Sequence, residues 1–159
     1  MITITTATLE QAPIVHRIMI EAFAEYLGVL EPPSGAHGET VADVLDVMSR
    51  GGAVIAWDEG TPVGSGRWIF EPDHVYVGRL SVLPPYRSQG IASAMLAFVE
   101  AIAEERGYRQ MRLGVRMVLE RNLSMYQRAG YTIVEIVKHE RGDAQVAYLE
   151  KHFSARQTD

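Results

Sequence analysis

Hydrophobic and polar positions change period several times along the chain, and each change marks an element. "ITITTA" alternates β-branched residues and predicts a first strand over residues 2–7. Thr8 and Gln11 have capping-box spacing, and Ile14, Val15, Ile18, Met19, Ala22 and Phe23 then form a helical face reaching Tyr26. Pro13 predicts an irregular first turn. "LEPPSGAHGET" reads as a loop, after which Thr40 caps a helix through Val41, Val44, Leu45 and Met48 that ends at Gly51-Gly52. "AVIAW" and "PVGSGRWIF" predict a hairpin turning on "DEGT". "HVYVGRLSVL" predicts a fourth strand, in which Gly78 marks a bulge or a close backbone approach. Ile91, Met95, Phe98, Val99 and Ile102 trace one face of a helix stopping at Gly107. "RQMRLGV" predicts a fifth strand and "LERNLSMYQRAG" a short helix. "YTIVEIVKH" and "AQVAYLEKHF" predict two last strands about an "ERGD" turn. The order β-α-α-β-β-β-α-β-α-β-β describes an α/β domain with a mixed sheet, parallel where a helix separates two strands.

Composition narrows the function classes. The 159 residues suit one domain, residues 1–153, with a polar tail over 154–159. The absence of cysteine removes disulfides, thiolate metal sites and a cysteine nucleophile together, and no metal site is expected. "MITITTATLE" lacks the charged and apolar regions of a signal peptide, and no apolar run reaches the ~18 residues of a membrane span, so a cytoplasmic protein is expected. A net charge of −5 without a long basic stretch argues against nucleic-acid binding. A single polyphosphate ligand remains compatible, because a few backbone amides make a local positive site.

Such a site is legible after the fourth strand. Pro84-Pro85 turn the chain, and "YRSQGIAS" leads into a helix whose first amides have no intrahelical partner. Gly90 permits close backbone approach, Ala92 is small, and Arg87 can add a charge-assisted bond. Neither a Walker loop nor a dinucleotide-binding glycine triple is present. The same residues would also make an ordinary strand-to-helix loop.

"LSVLPPYRSQGIASAML" resembles the acetyl-CoA-binding segment of the GNAT superfamily of N-acetyltransferases, whose Arg/Gln-x-x-Gly-x-Gly/Ala signature is matched by Arg87, Gly90 and Ala92. "NLSMYQRAGY" is similar to the family's Asn-x-x-x-Tyr…Gly-Phe/Tyr element, and the element order matches over nearly the whole chain. The resemblance implies a mixed, mostly antiparallel sheet of six or seven strands, about four flanking helices, and a splay between the fourth and fifth strands. It implies acetyl-CoA as cosubstrate and direct attack of an amine on the thioester. The amides of Ser88, Gln89, Gly90, Ile91 and Ala92, with Ser93, would cradle the CoA pyrophosphate. The backbone of Leu80, Ser81 and Val82 would pair with the pantetheine arm, which Asn122 would also bond. Tyr126 would be the general acid for the departing thiolate. By the residues alone, Tyr126 reads as a core aromatic with a satisfied hydroxyl and Asn122 as a residue near a helix N-cap.

Tyr26 and Tyr76, with the "EPPSGAHGE" loop, are the expected acceptor-binding region. Many relatives carry a glutamate base on the fourth strand where this chain has Tyr76, so no base is assigned. Glu21, Glu25, Glu71, Asp73 and His74 remain as alternatives, beside a water chain. His37 reads as a solvated loop residue, Trp57 and Trp68 as packing aromatics, and Glu104-Glu105-Arg106 as a solvated helix face. The expected acceptor is a small-molecule amine. A peptide or protein amine, at an N-terminus or a lysine, and a non-catalytic acyl-CoA-binding module are the alternatives. The acidic balance leans toward a cationic acceptor, and the resemblance implies a homodimer through the terminal strands.

Overall fold

A computed structural model describes residues 1–154, so the predicted tail lies outside the described residues except for Ser154. The first strand, β1, is Ile2–Thr6. Thr8 N–H donates to Gln11 Oε1 at 2.9 Å, and a 3-10 turn over Leu9–Gln11 precedes α1, Ala12–Phe23. That turn is the irregularity Pro13 predicted; proline itself sits within the first helical positions, where no intrahelical donor is missed. In α2, Val41–Arg50, Thr40 N–H donates to Asp43 Oδ2 at 2.8 Å and Asp43 N–H returns a bond to Thr40 Oγ1 at 3.2 Å.

The next strand, β2, spans Gly51–Asp58, so the two glycines open a strand as well as closing a helix. A Cβ on Gly51 would stand 2.0 Å from Trp68 O, and one on Gly52 2.4 Å from Trp68 Cζ2, so only glycine admits β3 here. The remaining elements are β3 (Thr61–Phe70), β4 (Val75–Val82), α3 (Ile91–Glu105), β5 (Gln110–Arg116), α4 (Glu120–Arg128), β6 (Thr132–Lys138) and β7 (Gln145–His152).

The seven strands lie in the order β1-β2-β3-β4-β5-β7-β6, and only β4 and β5 run parallel. The expectation of parallel pairing wherever a helix intervenes fails twice. The two helices between β1 and β2 run out and back, so β2 returns antiparallel to β1. After α4 the chain reaches β6, but the hairpin inserts β7 beside β5, also antiparallel. Of the two terminal strands only β6 is therefore an edge. Val15, Val44 and Met48 of α1 and α2 pack on one sheet face with Ile55, and Met95, Leu96 and Val99 of α3 pack on the other with Val77 and Leu113. Burial of each such side chain contributes about 1.5–3 kcal/mol. Among the described residues no helix is long and apolar enough to cross a membrane.

The splay follows from one extra residue. The parallel pair holds only at Val75–Met111, Tyr76–Arg112 and Val77–Leu113, after which β4 stays on β3 and β5 stays on β7. Opposite Ser65 to Arg67, β4 runs from Ser81 to Gly78, and Arg79 takes φ +52°. The bulged position is thus Arg79, which corrects the assignment to Gly78. A bulge increases twist and bends its strand, which turns β4 away from β5. Gly66 lies opposite, where a Cβ would meet Leu80 Cδ1 at 2.8 Å. Glu39 secures the bend: its carboxylate accepts from Arg79 Nε at 2.7 Å and lies 2.6 Å from Nη2 of Arg67, which is 6% exposed.

Candidate active site

The chain leaves β4 through a 3-10 turn at Pro84–Tyr86. Ser88 then takes φ +62° and Gly90 φ +78° before α3 begins at Ile91. Ala94 N–H donates to Gly90 O at 3.0 Å, but among the described residues no acceptor meets the N–H groups of Ser88, Gln89, Gly90, Ile91, Ala92 or Ser93. Six consecutive free donors at the positive end of a long helix suit an anion with several oxygens. No atom lies within 4 Å of a Cβ built on Gly90, so glycine is required there for its left-handed φ rather than for clearance.

The Arg87 side chain does something other than the sequence suggests. Its Nε donates to Val82 O at 3.0 Å, Nη1 to Glu25 Oε1 at 2.6 Å and Nη2 to Ala22 O at 3.1 Å. The guanidinium ties the end of β4 to the last turn of α1, instead of reaching toward the free amides.

Along β4 the backbone alternates between its two neighbours. Leu83 N–H donates to Val63 O at 2.9 Å and Ser81 pairs with Ser65, so these residues face β3. Ser81 Oγ donates to Arg79 O at 2.9 Å. Leu80 and Val82 consequently turn away from β3 toward the gap, but Val82 O accepts from Arg87 Nε, so Val82 offers only its N–H there, and Ser81 faces β3 instead.

Four of the expected side chains are neighbours of one another. Tyr126, on α4, stands edge-on to Tyr131 with ring centroids 6.2 Å apart. Burial holds its phenol well above the ordinary tyrosine range, with Tyr76 and Tyr26 as its ionisable neighbours. Burial also raises Tyr76, whose hydroxyl faces the Gly114 N–H on the far side of the splay. Tyr26 is raised by burial and then by Glu25, while Asn122 beside its hydroxyl acts in the opposite sense. Asn122 is the third residue of α4, near the N-cap Leu119 as its residue type suggested, without being the cap itself.

The candidate bases scatter. His74 Nδ1 lies 2.7 Å from Asp73 Oδ1, and with Glu71 they occupy the closed end of the β4–β5 pair. Glu25 is engaged by Arg87, and Glu21 is exposed on α1. His37 is half-buried rather than solvated, and its Nε2 has no partner among the described residues.

Two features escaped the sequence. Glu100, in the buried face of α3, accepts from Tyr131 Oη at 2.7 Å and Lys151 Nζ at 3.1 Å, joining α3 to β7 behind Tyr126. A cavity of about 650 Å³ opens beside the splay, with Tyr76, Gly114, Arg79, Arg116 and Arg141 in its wall. The expected loop contributes Ser34 and Gly35 to that wall, whereas Tyr26 stands instead beside Asn122. A glutamate inside an apolar helical period, and arginines at strand ends, are the only traces of either in the sequence.

Residues 18–131 match the family model described as Acetyltransferase (GNAT) family. No curated protein matches the sequence. Among solved structures, the PaiA N-acetyltransferase from Thermoplasma acidophilum, in complex with coenzyme A, superimposes with a TM-score of 0.82 at 19% identity, covering 96% of this chain and 99% of that one. The ribosomal-protein-S18-alanine N-acetyltransferase from Escherichia coli gives 0.81 at 17% identity, covering 99% and 97%. A GNAT family acetyltransferase from Elizabethkingia anophelis with acetyl-CoA bound gives 0.73 at 19% identity, covering 96% and 98%. With the family model matched over well over half its length and the fold shared end to end, the chain belongs to the GNAT family of acetyltransferases, enzymes that use acetyl-CoA as cosubstrate.

Proposed function

We propose that the protein transfers the acetyl group of acetyl-CoA to the primary amine of a small molecule by direct attack on the thioester. The observation that carries this reading is the run of six free amides between the end of β4 and the first turn of α3. The amides of residues 88–93 hold the pyrophosphate, and the gap-facing backbone of Leu80 holds the pantetheine arm as an added strand would, which leaves the Val82 N–H for the reacting carbonyl. Asn122 bonds the same arm.

The amine attacks as the free base, the carbonyl carbon becomes tetrahedral, and the Val82 N–H stabilises the oxyanion. The C–S bond then breaks, and Tyr126 Oη gives its proton to the sulfur. The proton released by the attacking nitrogen leaves through water, and water returns one to Tyr126 Oη, which restores the phenol for the next turnover. A cavity of about 650 Å³ falls within the size of small-molecule sites, which favours a small acceptor over a folded protein surface.

Two readouts test the reading together. Acetyl-CoA at about a hundred times its Kd should add about 2.7 kcal/mol, a rise of several degrees in Tm. CoA thiol should then appear only when an amine is supplied. Absence of any stabilisation, or acetylation of peptides with no turnover of small amines, contradicts the proposal.

A further inference from the structure

The wall of the cavity opposite the splay is basic. Arg116 ends β5 and Arg141 lies in the β6–β7 turn, and the two meet over the loop that precedes α2. Arg116 Nη1 donates to Pro32 O and Arg141 Nη2 donates to Pro33 O at 2.7 Å. Consecutive carbonyls thus hold two guanidinium groups side by side, with other N–H donors of each left over. Arg79, the third arginine in the wall, is committed to Glu39. Among the described residues neither Arg116 nor Arg141 forms a salt bridge with a carboxylate, and the one carboxylate lining the cavity, Glu140, is exposed.

Like charges fixed together repel, and the repulsion grows as water is excluded. Burial, then Arg141 and Arg79, depress the Arg116 guanidinium from its ordinary range, with Glu31 acting more weakly in the opposite sense. His139 lies between them: its Nδ1 accepts from Arg141 N–H at 3.1 Å, and its Nε2 is 3.5 Å from Arg116 Nη2. Burial and the same two arginines hold His139 below the usual histidine range, so it stays neutral and adds no further positive charge.

We infer that the acceptor amine carries an anionic group, a carboxylate or a phosphate, which Arg116 and Arg141 bind at the far wall while the amine points to the splay. The inference rests on the acetyl-transfer reading above and narrows its substrate class. It also reverses the lean toward a cationic acceptor drawn from the net charge of −5, because the nearby arginines govern the field in the cavity. From Gly114 at the splay to Arg116 is two residues of strand, about 7 Å, so amine and anion stand a few bonds apart.

CoA release is compared for alanine against alaninamide, and for O-phosphoethanolamine against ethanolamine, in the wild type, Arg116→Gln and Arg141→Gln. Within a pair, the anionic member is expected to have the higher kcat/KM. Each substitution is expected to raise its KM about 10- to 100-fold and to change the KM of the neutral member far less. The two pairs distinguish carboxylate from phosphate. Equal or better use of the neutral amines, or a preference that survives both substitutions, overturns the inference. Calorimetry of the CoA-bound protein with inorganic phosphate and, separately, with acetate gives a readout independent of turnover. Binding of either that both substitutions weaken supports the inference, and binding of neither to the wild type overturns it. Such binding without acetylation of any amine counts against the transfer reading alone.

Discussion

Replacing Tyr126 with phenylalanine is expected to lower kcat by about 10²- to 10⁴-fold and to leave acetyl-CoA affinity close to that of the wild type. The substitution keeps the ring that packs against Tyr131 and removes only the hydroxyl. A structural tyrosine would respond in stability, whereas a general acid responds in the rate of the chemical step. Burial raises the Tyr126 phenol above its ordinary value near 10, so the proton-bearing form persists throughout the neutral and mildly alkaline range. No alkaline decline in kcat below pH ~10 should therefore originate from Tyr126. Single-turnover acetyl transfer isolates the chemistry from product release. An unchanged rate there would mean that water protonates the thiolate and that Tyr126 only packs.

The largest loss of stability is expected at Glu39. Arg67 is nearly inaccessible to solvent, and Glu39 is the carboxylate that meets it, at 2.6 Å. Removing one partner of a buried ion pair leaves an uncompensated charge and costs about 3–5 kcal/mol. For Glu39→Ala this corresponds to a fall in Tm of roughly 10 °C. The double variant Glu39→Ala, Arg67→Met removes both charges and should recover a large part of that loss. The same carboxylate holds Arg79 at its left-handed bulge position, so the single variant should also weaken acetyl-CoA binding by disturbing the splay. A Tm within a degree or two of wild type would show that the triad contributes little to the fold.

Local signals carried most of the fold. Period-2 and helical patterns located every strand and helix, and the Thr40 capping box began α2 where the residues predicted. Pairing was less legible, since β7 comes between β5 and β6 through a hairpin whose insertion point no local residue specifies. The bulge was sensed one residue early, because glycine is the usual left-handed residue, whereas here Glu39, 40 positions away, holds Arg79 in that conformation.

The site divides in the same way. The residue 88–93 cradle is contiguous, so its glycine and its place before a helix exposed it. Tyr126 and Asn122 became legible only through the family resemblance. The partners of Arg87 were not legible, because Ala22, Glu25 and Val82 come from α1, the turn after it and the end of β4. The basic wall was invisible for a related reason: Arg116, Arg141 and the carbonyls of Pro32 and Pro33 are distant in sequence and share no periodicity.

The central claim is that acetyl-CoA enters across the 88–93 amides and into the β4–β5 gap. The most direct test is a CoA titration followed through the backbone amide resonances of the isotopically labelled protein. The account predicts that the largest shifts fall on residues 88–93, which acquire acceptors, and on Leu80 and Val82 in the gap. Shifts centred instead on the second cavity, about 470 Å³ around Thr8, Trp68 and Arg106, with the 88–93 amides unmoved, would contradict it.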